Sequence, residues 1–189
     1  MNSLLTILRE LDKNYYTISD LRMITKLPLD SLYVALSRLS KNNSLIRLTS
    51  GIYILADKYN KIDTIANALY QPSYLSFETA LSRYGILSQV PYLLTFATSR
   101  KSLKKKLGDV AVEYRKLKSN LFFGYEKVDS LFIAAPEKAF LDTLYLISFG
   151  KLNINIDSLD LKEIDLKKAK KISLQYPERT KQLFKKIVY

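Results

Sequence analysis

No cysteine, histidine or tryptophan occurs in the 189 residues. Without cysteine there is no disulfide and no thiolate metal site. Without histidine the chain lacks the commonest general base and the commonest metal ligand, so a zinc site, a Ser-His-Asp triad and a Cys-His pair are excluded. Glycine is scarce, at five residues, and none is spaced as a phosphate-cradling G-x-x-x-x-G-K loop. No apolar run reaches the roughly 18 residues that a spanning helix needs. The run Leu4–Leu11 is broken by Arg9 and Glu10, so it reads as neither a span nor a signal peptide. The expected location is the cytoplasm, with no membrane partner.

Acidic residues are also in deficit. Eighteen Asp and Glu stand against 30 Lys and Arg, a net charge of +12. Such a field favours a polyanionic partner. Residues 1–59 carry 8 basic and 5 acidic groups, residues 60–150 carry 12 and 8, and residues 151–189 carry 10 and 5. The excess is therefore spread along the chain, and any functional assignment has to rest on pattern. With 48% hydrophobic residues the chain can build a core, and its length suits one or two domains.

The first sixty residues hold the clearest pattern. Leu4, Leu5, Leu8 and Leu11 recur at helical spacing and predict a helix over 2–13, broken at Asn14-Tyr15-Tyr16. Thr17 followed by Asp20 has the spacing of a capping box, with Ile18, Leu21 and Ile24 on one face of the helix that follows. Pro28 disfavours a helical Leu27 and ends it. A third helix is predicted over Leu29 to Lys41, with Leu29, Leu32, Ala35, Leu36 and Leu39 inward. Its opposite face holds Asp30, Ser31, Val34, Ser37, Arg38 and Lys41, with Tyr33 on the flank. These are short, polar and basic side chains, suited to a helix in a major groove, where Arg forks onto guanine. Asp30 is read instead as a helix-start residue, because a carboxylate repels phosphate. Two β-rich runs, 45–49 and 52–55, flank Ser50-Gly51 and predict a hairpin. Helix, short helix, longer helix and hairpin is the winged helix-turn-helix order. The hairpin is the wing, and Arg47, Thr49, Ser50 and Gly51 are placed to touch DNA backbone or minor groove. The same pattern also fits a protein-binding module without DNA function.

Asp57 to Lys61 is the best candidate linker, dividing a domain at 1–58 from one at 59–189. The second is predicted to have an α+β core over about 62–150 and two basic helices within about 157–189. In the core, a helix is expected at 62–69, a helix capped by Ser76, and strands at 91–98, 110–114, 121–125 and 131–134. A helix follows from Pro136, with Glu137-Lys138 as helix start and local ion pair. Arg100, Lys101, Lys104, Lys105 and Lys106 read as a basic loop, either solvated or a second nucleic-acid contact. The fold class is α+β: a winged helix-turn-helix followed by a larger mixed domain with a small sheet and C-terminal helices.

Several blocks occur in a recognisable order: Pro72 to Leu81, Tyr84-Gly85-Ile86, Thr95 to Arg100, and Ile133 to Asp142, which contains Pro136-Glu137-Lys138-Ala139. Together with Arg47 to Tyr53 they resemble the AbiEi family, transcriptional regulators that are the antitoxins of type IV toxin–antitoxin systems linked to abortive infection. The resemblance covers nearly the whole chain, except the two final basic helices. It implies a winged helix that binds inverted repeats in its own promoter and represses the operon, which suits two copies on DNA. It also implies a C-terminal domain that counters a nucleotidyltransferase-like toxin without a stable complex. No cofactor or metal is implied, and no antitoxin residue can be carried over.

The competing enzymatic reading is a metal-dependent nuclease, for which Asp160-Leu161-Lys162 and Glu113-Tyr114-Arg115-Lys116 supply acid-x-basic matches. Such short matches arise readily in a chain with 25% charged residues. The expectation is a DNA-binding protein that is not an enzyme.

Overall fold

The computed structural model describes residues 4–188, so positions 2 and 3 of the first expected helix lie outside the described residues. The chain is α+β and forms two compact units. One comprises the chain up to Ala66 together with Lys106–Val110; the other comprises Asn67–Lys105 and the chain from Ala111 onward.

The first unit runs α1 (Leu4–Leu11), β1 (Tyr16–Thr17), α2 (Ile18–Thr25), α3 (Leu29–Lys41), β2 (Leu45–Thr49) and β3 (Ile52–Leu55). Its sheet has the order β1-β3-β2, antiparallel throughout. This is a winged helix-turn-helix. Its core joins Leu8, Tyr16, Leu21, Leu32, Leu36, Leu45, Tyr53 and Leu55, with Leu4, Leu5, Ile18, Ile24 and Leu39 packed at the margin. Two of the leucines expected inside, Leu11 and Leu29, are exposed because each sits at a helix end.

Local chemistry sets the helix boundaries. The Thr17 hydroxyl accepts from Asp20 N at 3.1 Å, and the Asp20 carboxylate accepts from Thr17 N at 2.8 Å, a complete capping box for α2. Lys26 ends α2 in the left-handed conformation, and its N–H donates to Arg22 O. The stretch read as a break contains β1. Tyr16 is wholly buried, and its hydroxyl donates to Leu8 O at the end of α1. A two-residue strand is too short to show a period.

The expected linker is not one. Ala56–Lys61 is an ordered 3-10 helix, and Lys58 is buried. Its ammonium donates to Asp12 O at 2.8 Å and Lys13 O at 2.7 Å, taking up carbonyls left free beyond the end of α1. The division between the units falls later than residue 58, inside α4 (Ile62–Leu69).

Beyond α4 the chain continues with β4 (Ser73–Leu75), α5 (Phe77–Arg83), β5 (Leu93–Thr98), β6 (Leu103–Leu107), β7 (Val110–Lys116), β8 (Tyr125–Val128), β9 (Leu131–Ala134), α6 (Pro136–Ser148), α7 (Leu166–Ser173) and α8 (Glu178–Val188). The six-stranded mixed sheet has the order β6-β7-β5-β4-β9-β8, parallel at β5/β7 and β4/β9. Helices α5, α7 and α8 all pack on α6. Ten successive α6 residues, Glu137 to Leu146, are buried as a result.

Three expectations change here. The basic run is only partly a loop: Arg100 and Lys101 lie outside regular structure, whereas Leu103–Leu107 forms edge strand β6, with Leu107 buried. The strand expected at 121–125 is displaced: Ser119–Leu121 is a 3-10 turn, and the strand begins at Tyr125. Ser76 precedes α5 but does not cap it through its side chain. The hydroxyl of Thr95, across the sheet, accepts from Thr79 N at 3.1 Å instead.

Candidate nucleic-acid interface

The capping box aims α2, and the short turn through Pro28 then sets α3 against it. Leu32 and Leu36 are buried in the core and fix the rotation of α3 about its axis. The opposite face is consequently free. Ser31, Tyr33, Val34, Ser37, Arg38 and Lys41 are all exposed, as the sequence pattern requires. Tyr33 and Val34 are about half exposed, at 47% and 52%. On the wing, Arg47 and Ser50 are exposed, while Thr49 and Gly51 are half-buried. Gly51 O accepts from Ile18 N at 3.1 Å, which ties the turn to the start of α2. A bulge between Arg47 and Thr49 puts Leu48 inward, where its carbonyl accepts from Gly108 N at 2.8 Å. Arg38, Lys41 and Arg47 make no ion pair among the described residues. This surface therefore carries uncommitted positive charge beside short polar side chains, the composition that phosphate and base-edge contacts need.

The second basic group is more committed. Arg100 donates to Gln71 O at 3.1 Å and lies 4.4 Å from the centre of the Tyr70 ring. Lys104 pairs with Glu113 at 3.2 Å and Lys106 with Asp109 at 3.7 Å. Lys101 and Lys105 are exposed. Lys106 belongs to the first compact unit and the other four to the second.

A buried polar centre lies in the second unit, and the sequence pattern did not disclose it. Lys138 and Asp142 are wholly buried and paired one turn apart on α6. The Asp142 carboxylate accepts from Tyr74 at 2.9 Å, Ser76 at 3.0 Å and Tyr176 at 2.8 Å, as well as from Lys138. The Lys138 ammonium also donates to the Tyr74 hydroxyl at 3.0 Å and the Tyr176 hydroxyl at 2.8 Å. It lies 4.9 Å from the centre of the Phe123 ring. Burial pulls the Lys138 ammonium below its ordinary range, against the Asp142 charge that favours protonation. Burial likewise raises the Tyr74 and Tyr176 hydroxyls well above theirs, and Asp142 adds to this. The expected local pair of Glu137 with Lys138 does not form. Glu137 turns the other way, accepting from Asp165 N at 3.3 Å and pairing with Lys168 at 2.8 Å, an ion pair without hydrogen-bond geometry. The one available hint was the i, i+4 spacing of Lys138 and Asp142.

The acid-x-basic matches are also accounted for. Arg115 holds Glu78 bidentately at 2.5 and 3.0 Å and holds Glu113 at 2.8 and 3.0 Å. Burial pushes the Glu113 carboxyl up, but Arg115 and Lys104 outweigh it and hold Glu113 below its ordinary value. Asp160 caps the 3-10 turn Leu161–Glu163 and pairs with Lys162. No group of three or more Asp or Glu residues able to hold a metal ion occurs among the described residues. Nor is any described helix long and apolar enough to cross a membrane.

The fold and the exposed α3 face define the class: an α+β protein with an N-terminal winged helix-turn-helix. Among solved structures it is similar to the RV2827C protein from Mycobacterium tuberculosis, with a TM-score of 0.65 over 98% of this chain and 75% of that one. At 15% identity the likeness is one of fold. No family model and no curated protein matches the sequence.

Proposed function

We propose that this protein is a sequence-specific DNA-binding autorepressor, with α3 as recognition helix and the β2–β3 hairpin as wing, and that it is the antitoxin of a type IV toxin–antitoxin system. The observation that carries the DNA-binding reading is the outer face of α3, with Ser31, Ser37, Arg38 and Lys41 exposed and both cations free of carboxylate partners. Arg38 has the reach and fork geometry to read guanine, and Ser31 and Ser37 suit base or phosphate contacts. Val34 offers an apolar contact of the kind that meets a thymine methyl. Lys41 and Arg47 flank this face and serve the phosphates. Promoter inverted repeats would engage two copies.

The antitoxin half rests on the sequence blocks that resemble AbiEi, not on any site geometry. In that reading the second unit counters a nucleotidyltransferase-like toxin without a stable complex.

A gel shift on DNA from upstream of the chain's own gene tests the repressor. Binding should exceed that to random DNA, and log affinity should fall linearly with log salt. Equal affinity for both DNAs would refute it. For the antitoxin half, co-expression with a neighbouring nucleotidyltransferase-like gene should restore growth, and should still do so when Arg38, Lys41 and Arg47 are all replaced by Ala. Continued growth arrest with the intact chain would refute that half.

One observation favours a second reading, a protein-binding winged helix. Met23, Leu27, Leu29, Tyr33 and Val34 are exposed apolar or aromatic residues around the α2–α3 turn. A partner protein that competes with operator DNA for α3 would support it.

A further inference from the structure

The second unit contains a pocket of about 460 Å³ between the end of β7 and the end of α6. Its volume falls in the range of small-molecule sites. Lys116 and Lys118, at and just past the end of β7, and Lys151, just past α6, line it. All three are exposed, and none makes an ion pair among the described residues. Elsewhere in this unit Lys104, Lys162, Lys168 and Lys181 each pair with a carboxylate. The one carboxylate among the lining residues, Glu113, is already held by Arg115 and Lys104. Arg115 in turn is fixed by Glu78 and Glu113, so it adds a rigid wall rather than free charge.

Three like charges line one concavity, and no carboxylate among the described residues pairs with any of them. An anion seated there would. Concave walls also strengthen such a field relative to a flat surface. The floor is different in kind: Leu117, Leu146 and Tyr145 are buried and show the pocket an apolar, partly aromatic base. Exposed cations and buried apolar side chains lining one pocket together suit a ligand with phosphates at one end and a ring at the other.

We propose that this pocket binds a nucleoside di- or triphosphate, with the phosphates on Lys116, Lys118 and Lys151 and the base over Leu117, Leu146 and Tyr145. This is a binding function separate from the α3 surface, so a nucleotide titration succeeds or fails whether or not the protein binds operator DNA. The test is calorimetric titration of the full chain with ATP, ADP, AMP, adenosine and inorganic tripolyphosphate. ATP and ADP should bind, AMP more weakly, and adenosine not measurably. The variant Lys116→Gln/Lys118→Gln/Lys151→Gln should bind ATP at least about tenfold more weakly, since charge-assisted contacts of this kind are individually worth about that factor. All three side chains are exposed, so the variant should keep the parent circular dichroism spectrum. The control Lys167→Gln/Lys171→Gln/Lys186→Gln removes the same net charge from exposed positions on α7 and α8 and should leave ATP binding unchanged. Absence of ATP binding at millimolar concentration would overturn the proposal. So would equal weakening in the control, which would mean binding to diffuse charge. Tripolyphosphate binding as tightly as ATP would overturn the nucleoside assignment.

Discussion

Replacing Asp142 by Ala removes one carboxylate that four donors share: Lys138, Tyr74, Ser76 and Tyr176. Lys138 is then left buried without its counter-charge. Removing one partner of a buried ion pair costs about 3–5 kcal/mol. A second route to the magnitude agrees with this. A lysine that cannot stay charged sheds its proton, and deprotonating an ordinary lysine of pKa about 10.4 at pH 7 costs about 4.6 kcal/mol, which caps the penalty from the charge alone. Against a typical domain stability of about 5–15 kcal/mol, the variant should be severely weakened yet within reach of measurement. The sign of its pH dependence follows. In the variant, the folded pKa of Lys138 is depressed below the unfolded value, so the unfolded state binds more protons. Stability lost at pH 7 should then return as pH rises toward 10, by at most about 1.4 kcal/mol per unit. Paired urea titrations of parent and variant at pH 7 and pH 9.5 measure this. With no tryptophan in the chain, far-UV circular dichroism or tyrosine fluorescence is the probe. The double variant Lys138→Met/Asp142→Leu removes both charges and should be more stable than Asp142→Ala alone. A penalty below about 1 kcal/mol, or one that does not change with pH, would refute the claim that Lys138 is charged and held by Asp142.

Three further predictions follow from local geometry. Arg38→Ala should cost about 1–3 kcal/mol of operator affinity and relax sequence preference at one base position, whereas Arg47→Ala should weaken all DNA alike and reduce the salt slope by about one; competition gel shifts distinguish the two. Asp20 is held down to about pKa 2, first by Lys13 and then by Thr17. Its contribution is therefore complete above the unfolded pKa near 4 and lost as pH falls through 2, so Asp20→Asn should cost about 1 kcal/mol at pH 7 in urea titration and only a fraction of that at pH 2. Gly124 has φ of +70°, and an added Cβ would lie 3.1 Å from Lys138 Cδ. Gly124→Ala should cost about 1–2 kcal/mol more than Gly85→Ala, where φ is +71° but nothing lies within 4 Å, because only the first adds crowding to backbone strain.

Much of the first unit is written locally in the sequence. The capping box of Thr17 and Asp20, the stop at Pro28, the leucine face of α3 and the Ser50-Gly51 turn each act within a few residues, and each is observed at the expected place. The outer face of α3 follows directly, because burying Leu32 and Leu36 leaves Arg38 and Lys41 nowhere to go but outward. Helix α6 and the two basic helices were legible from their apolar period, with Pro136 at the first turn of α6.

Tertiary structure decided the rest. Strands β1 and β4 have two and three residues, too few for periodicity, and exist because β3, β5 and β9 supply their hydrogen bonds. Lys58 reads as a linker residue until the carbonyls of Asp12 and Lys13, more than forty positions away, are brought to it. Ser76 has the spacing of a cap, but a buried carboxylate 66 positions on offers its hydroxyl a stronger acceptor. The same holds for Lys138. Its neighbour in sequence is Glu137, and local reasoning pairs the two. The interior instead closes Asp142, Tyr74 and Tyr176 around it, since a buried charge must be met from every side. Sequence alone placed the helices and hairpin of the first unit and the outer face of α3, which follow from contacts a few residues apart. Which distant polar groups meet, and hence where charge is spent and where it remains free, was settled only when the chain was folded.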